Sequence, residues 1–302
     1  MKKAPHVIRA EAALFFITFL WGGTFVLIKS ALVHISPMVF VCVRFGLAAV
    51  VLLPFVYKTL FAATKTQYKK GLILGISLFI GFATQTIGLR YTTATKSAFL
   101  TGMFIIITPI LQTVLERRRP TINNLAAILL GFFGILFLSS RGTNLYQVLF
   151  ELGTGFNFGD FLTLICAASY SWYIVYLDML GEGLDFKFIT FIQIFVTALL
   201  AIPFIYFFDL TGLEKIQFEF LPIVGIAIVY TAIFTTIIST LLQTKYQKDV
   251  TPTRASIIFS MEPMYATVSA VFLLAEKISI FGIIGCCFIF SGVLISELSV
   301  KE

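Results

Sequence analysis

The chain has 302 residues, 59% of them hydrophobic and 12% charged, with a formal net charge of +7. Soluble domains carry about 25% charged residues, so this chain lacks the polar surface to cover a water-soluble globule. The positive charge is spread over short gaps and forms no basic domain, which excludes nucleic acid as a partner.

Apolar runs of about 20 residues, the length that crosses a bilayer core, follow one another along the chain. The predicted spans are Ala12–Leu32, Pro37–Tyr57, Leu72–Leu89, Ser97–Leu115 and Ile122–Ser139, then Phe161–Asp178, Phe188–Phe208, Phe220–Gln243, Ala255–Ala275 and Ile278–Ser296. The first begins with a basic stretch, as a signal peptide does. It runs unbroken to Leu27 with no small-x-small cleavage pattern, so it reads as a span. The longest gap, 140–160, contains Gly142, Gly153, Gly155 and Gly159 and reads as a loop between two halves.

Cys42, Cys166, Cys286 and Cys287 all lie in apolar runs without a C-x-x-C pair and read as small packing residues. The two histidines, His6 and His34, are far apart, and no nucleotide or metal motif occurs. No cofactor and no metal are expected. The expected class is an all-α polytopic membrane protein whose partners are membrane lipid and a small-molecule substrate. Monomer and homodimer both remain open.

Lys and Arg are uneven across the gaps. Fifteen fall on the side of Lys2, Lys69 and Arg117–Arg119, and six on the side of Lys29, Arg90 and Lys96. The positive-inside rule then places both termini in the cytoplasm and the protein in the cell membrane.

The chain also repeats. "LPFVY" (Leu53–Tyr57) matches "IPFIY" (Ile202–Tyr206) at an offset of 149, which sets Arg44 opposite Gln193. "TKSAFL" (Thr95–Leu100) lies opposite "TRASII" (Thr253–Ile258) at an offset of 158, which also pairs Gln85 with Gln243 and Gly134 with Gly292. Trp21 and Trp172 correspond at 151. Five spans per half is an odd number, so the halves enter the membrane from opposite sides. The expectation is ten transmembrane helices forming an inverted repeat of two five-helix halves, residues 1–139 and 161–302 joined by 140–160.

Glu262 stands at midspan next to Pro263. A midspan acid costs about 2.5–3.5 kcal/mol on insertion scales, which favours a wet cavity over lipid. It can bind a cationic group, carry a coupling proton, or serve as a protonated link between helices. Pro109 and Pro263 both fall in the fourth span of their half and are expected to open the backbone there, although they are four positions out of register. Arg44 lies within the second span, able either to reach the interface or to hold a carboxylate or phosphate. Trp21, Trp172 and Tyr265 are polar-tipped aromatics away from span ends. Gln85, Gln193 and Gln243 are uncharged polar groups for a substrate path or for helix bridging.

The order of "LWGGTFVLIK" (Leu20–Lys29), "SPMVFVCVRF" (Ser36–Phe45), "SAFLTGMFIIITPILQTVL" (Ser97–Leu115), "SWYIVY" (Ser171–Tyr176), "SMEPMYATVSAVFLLAE" (Ser260–Glu276) and "GVLIS" (Gly292–Ser296) resembles the EamA group of the drug/metabolite transporter superfamily. The resemblance covers nearly the whole chain as two tandem modules. It implies ten spans, an inverted repeat, a central cavity and transport of small organic solutes, often export of amino acids or metabolites. One departure is "LERRRP" (Leu115–Pro120), which lacks the family's common glutamate before the fifth span; Glu276 holds that place before the tenth. The expected function is secondary transport by alternating access in the export direction. An uptake permease of the same fold is the alternative, and a membrane enzyme or channel is the alternative from another class.

Overall fold

A computed structural model of the chain describes residues 4–139, 146, 156–180, 185–274 and 279–297. Most of the expected loop 140–160, Glu276 and both extreme termini lie outside the described residues. What is described is helical, with one isolated antiparallel bridge between Ile35 and Phe218 and no strand among the described residues.

The first half contains α1 (Pro5–Trp21), α2 (Thr24–Ala31), α3 (Pro37–Ala62), α4 (Lys65–Tyr91), α5 (Ala94–Thr101), α6 (Phe104–Glu116) and α7 (Ile122–Leu138). The second contains α8 (Phe158–Met179), α9 (Phe186–Leu210), α10 (Pro222–Tyr230), a π-helical turn (Thr231–Ile238), α11 (Ser239–Tyr246), α12 (Pro252–Phe259), α13 (Glu262–Leu274) and α14 (Ile280–Glu297). Seven stretches among the described residues are long and apolar enough to cross a membrane, and Ile122–Leu138 and Ile280–Ser296 are shorter apolar helices. Large side chains such as Phe55, Ile122 and Phe220 are 71%, 77% and 82% exposed, as a lipid-facing surface requires.

Several helices outrun their apolar runs. The third predicted span starts at Leu72, yet α4 starts at Lys65, because Thr64 and Gln67 form a reciprocal capping box that satisfies the first backbone donors. Other predicted spans are interrupted. The first breaks at Gly22–Gly23, where Gly23 takes φ 87°, a conformation that favours glycine. A Cβ on Gly22 would lie 2.7 Å from Tyr265 Cβ, so this glycine also lets α1 approach α13.

The fourth and ninth spans break at Gly102–Met103 and Ser260–Met261, not at the prolines. Pro263 sits in the first turn of α13, where its missing N–H costs nothing, and Pro109 lies inside an unbroken α6. The interruptions are therefore in register although the prolines are not. Ala94–Thr101 and Pro252–Phe259 have equal length and start 158 residues apart, as do Phe104–Glu116 and Glu262–Leu274.

Corresponding helices pack on one another, α3 on α9 and α7 on α14, and α6 of the fourth span packs on α12 of the ninth. The α7–α14 contact is backbone to backbone. A Cβ on Gly285 would lie 2.6 Å from the Gly134 carbonyl, and one on Gly292 would lie 2.9 Å from that of Ala127. Gly285→Val is expected to force these helices apart and lower the melting temperature of the purified protein, at a cost of about 1–3 kcal/mol. Gly225→Val, where an added Cβ meets nothing within 4 Å, is the control and leaves it unchanged. Equal melting temperatures for the two variants would contradict this account.

Both ends of the bundle are tied. At the end bearing Arg117–Arg119, called here the basic end, Gln112 Oε1 accepts from the backbone N and hydroxyl of Thr253, at 3.0 and 2.5 Å. At the opposite end Lys29 Nζ donates to the carbonyls of Leu89, Arg90 and Thr92 at 2.5–3.0 Å. These are carbonyls at the C-terminus of α4, where a cation is favoured. Loop residue Glu219, half-exposed, accepts from His34 at 2.8 Å, and that hydrogen bond holds its carboxyl below the ordinary range.

Candidate functional site

A cavity lies among these helices. Its walls are mainly apolar and aromatic, with Phe25 of α2, Phe82 of α4, Phe104 of α6 and Phe259 of α12 among them. Trp21 ends α1 at the glycine break and sits 5.1 Å from Phe259, ring centroid to centroid. The interruptions place Thr101, Phe104, Phe259 and Glu262 at mid-depth, because helix ends rather than continuous helix flank the cavity there.

Two ionisable side chains of opposite sign line the cavity. Arg44 enters from α3 and is 3% exposed. Its Nε donates to Thr236 Oγ1 at 2.8 Å and its Nη2 to Thr235 Oγ1 at 2.9 Å. The guanidinium carbon also stands 4.5 Å from the centre of the Phe82 ring, a cation–π contact. Glu262, 9% exposed, is the first residue of α13, where the helix N-terminus favours negative charge. No ion pair joins Arg44 to Glu262 or to any other carboxylate among the described residues. Each therefore lines the cavity with capacity left for a ligand.

Trp21, Arg44, Gln85, Gln243 and Glu262 thus share one cavity. Gln85 accepts from the Tyr170 hydroxyl at 3.3 Å. Gln243 donates to Gln247, which donates to the Ile174 carbonyl, both at 2.7 Å, in a buried chain. Gln193 stands behind the wall. It accepts from Tyr173 at 2.9 Å and donates to Thr244 at 3.0 Å, so it braces a lining residue without facing the cavity. Trp172 does not line the cavity: it is 39% exposed and stacks on Tyr176 toward the outside. Tyr265 packs edge-on against Phe19 beside Gly22, also off the lining.

Trp21 and Trp172 correspond in sequence at an offset of 151, but only the first span breaks next to its tryptophan, and that break turns Trp21 inward. Sequence reading missed Thr235 and Thr236. Threonines in apolar helices are ordinary, and the π-helical turn that presents them leaves no mark in "TAIFTTII". The four cysteines are free thiols.

The apolar exterior, the long apolar helices and the cavity lined by Arg44 and Glu262 define a multi-pass membrane protein. Residues 8–140 and 157–298 both match the EamA-like transporter family, and the chain belongs to that family, within the drug/metabolite transporter superfamily. The protein is a membrane transporter. It is 30% identical over 291 residues to a protein of Archaeoglobus fulgidus described as an uncharacterized transporter, covering 96% of this chain and 86% of that one. It is 25% identical over 281 residues to the uncharacterized transporter YyaM of Bacillus subtilis, covering 90% and 88%. A solved crystal structure superposes with a TM-score of 0.76 over 96% of each chain at 16% identity, a likeness of fold alone.

Proposed function

We propose that the protein moves small organic solutes bearing both a positive and a negative group, amino acids or related metabolites, out of the cell by alternating access. The observation that carries this reading is the cavity with Arg44 and Glu262 on its wall and no ion pair between them. Two buried, unpaired charges of opposite sign are costly in a dry cavity and favourable when a zwitterion lies between them. Among the candidate residues, Trp21, Gln85 and Gln243 contact the solute, and Gln193 braces the wall.

The moving parts are two five-helix halves, 1–139 and 161–302, in opposite orientation, ten spans in all. Support comes from element boundaries that recur at 158 residues and from corresponding helices that pack on each other. Midspan breaks at Gly22–Gly23, Gly102–Met103 and Ser260–Met261 supply joints at cavity depth. No nucleotide motif occurs, so any driving energy comes from a gradient.

The test is a solute screen in proteoliposomes, with and without an imposed pH gradient. Saturable flux of one or more zwitterions is expected. Folded protein that moves none of them would overturn the reading, and flux only into right-side-out vesicles would make it an uptake permease.

The orientation reading has its own check. The basic end faces the cytoplasm in the cell membrane, so Arg118→Cys on a cysteine-free background is expected to resist an impermeant thiol reagent added to intact cells. It reacts once the membrane is opened, since Arg118 is exposed. Strong labelling from outside would reverse the topology.

A further inference from the structure

Arg44 is held in an unusual way. Its Nε and one Nη2 hydrogen go to Thr236 and Thr235, two neighbours in sequence. Those N–H groups form the side edge of the guanidinium fork, the edge that often grips a carboxylate. Here two neutral hydroxyls occupy it. Phe82 covers one face. The end edge, made by Nη1 and the second Nη2 hydrogen, has no partner among the described residues, and Arg44 lines the cavity.

Adjacent side chains of an α-helix diverge by about 100°, so two successive threonines seldom reach one group. Thr231–Ile238 is π-helical, and its wider turn lets both do so. The Thr235 hydroxyl spends its own proton on the Thr231 carbonyl at 3.0 Å, which leaves it an acceptor toward Arg44. Single π-helical turns inside α-helices often mark functional sites. This one turns a buried cation, without an acidic partner, toward the cavity.

We propose that Arg44 and the π-helical turn form a carboxylate-binding subsite, in which Thr235 and Thr236 are positioning residues that aim the end edge of the guanidinium at the solute. The proposal rests on the transport reading only in taking the cavity ligand to be the carried solute. A carboxylate suits the site better than a phosphate. One guanidinium balances one negative charge, and walls such as Phe25, Phe104 and Phe259 take an apolar body but not a second charge.

The experiment measures binding and needs no transport. Purified full-length protein in nanodiscs, carrying Trp172→Phe so that cavity-lining Trp21 is the remaining tryptophan, is titrated by fluorescence. The probes are acetate, benzoate and indole-3-acetate, each beside its primary amide, and inorganic phosphate. At least one carboxylate is expected to bind about tenfold tighter than its amide, the difference a charge-assisted fork makes. Arg44→Gln abolishes that preference. Arg44→Lys keeps the charge but loses the fork and retains a reduced preference. The double variant Thr235→Val/Thr236→Val lowers the preference severalfold, and Thr235→Ser/Thr236→Ser restores it.

The ratio of carboxylate to amide is the deciding readout, since a merely loosened cavity would weaken both members of a pair together. The proposal is overturned if no carboxylate is preferred to its amide, if the valine pair keeps the wild-type ratio, or if phosphate outcompetes every carboxylate. A carboxylate preference in a protein that transports nothing in liposomes would leave the subsite standing and remove the transport reading instead.

Discussion

Glu262→Gln is expected to abolish net solute flux driven by a pH gradient, by about tenfold or more, while one-for-one exchange across the membrane persists. The glutamine keeps size and shape but cannot ionise, so it mimics one protonation state permanently. Glu262 is suited to changing state because no hydrogen bond or ion pair engages its carboxyl among the described residues, and it lines the cavity at the start of α13. A group that must take up and release a proton in each cycle cannot sit in a permanent ion pair. Driven flux and counterflow exchange, measured in the same liposomes, separate three roles. Loss of driven flux alone fits a coupling carboxyl. Equal loss of both fits a group that only holds the solute's cation. Wild-type rates in both would remove Glu262 from the mechanism.

The largest stability effect is expected at Asp160. Its side chain is wholly buried and accepts from Lys96 at 2.6 Å, from the Thr92 hydroxyl at 2.6 Å and from the Asn157 backbone at 2.8 Å. It also caps the N-terminus of α8, where its charge suits the helix dipole. Asp160→Ala removes the anion in contact with Lys96, a cation with 15% of its side chain exposed. Removing one partner of a buried pair costs about 3–5 kcal/mol. The lower end applies here, because the pair stands at the end of a span near water. Combining Asp160→Ala with Lys96→Met should recover part of that loss, since both charges of the pair are then removed together. Thermal unfolding of the single and double variants checks this. A single variant within about 0.5 kcal/mol of wild type, the range of ordinary surface substitutions, would show that the pair contributes nothing.

Much of the architecture was legible in the residues themselves. Hydrophobic length is a local property, so the apolar runs mark the helices that cross the membrane. Glu262 and Arg44 stood out because a charge within an apolar run needs a reason, and both line the cavity. Helix ends were less legible. Capping by Thr64 and Gln67 carries α4 a further turn and more past its apolar stretch, and polar residues there give no apolar signal. The break expected at Pro263 was displaced because a proline in a first turn obstructs nothing, and none forms at Pro109, which lies inside α6.

By itself, then, the sequence determined that this chain lives in a membrane as a bundle of helices and that two charged side chains are set within it. Burial of apolar length and the cost of a charge in lipid are decided residue by residue. Only the tertiary structure decided which polar groups share a cavity. Trp21 and Trp172 look alike in sequence, yet the break at Gly22–Gly23 turns one inward while the other faces outward. Gln243 reaches the cavity and Gln193 braces its wall, although both are glutamines in apolar helices. The direction of a side chain depends on helix rotation and packing partners from distant parts of the chain. The grip of Thr235 and Thr236 on Arg44 joins residues more than 190 positions apart, through a turn whose π form leaves no local signature.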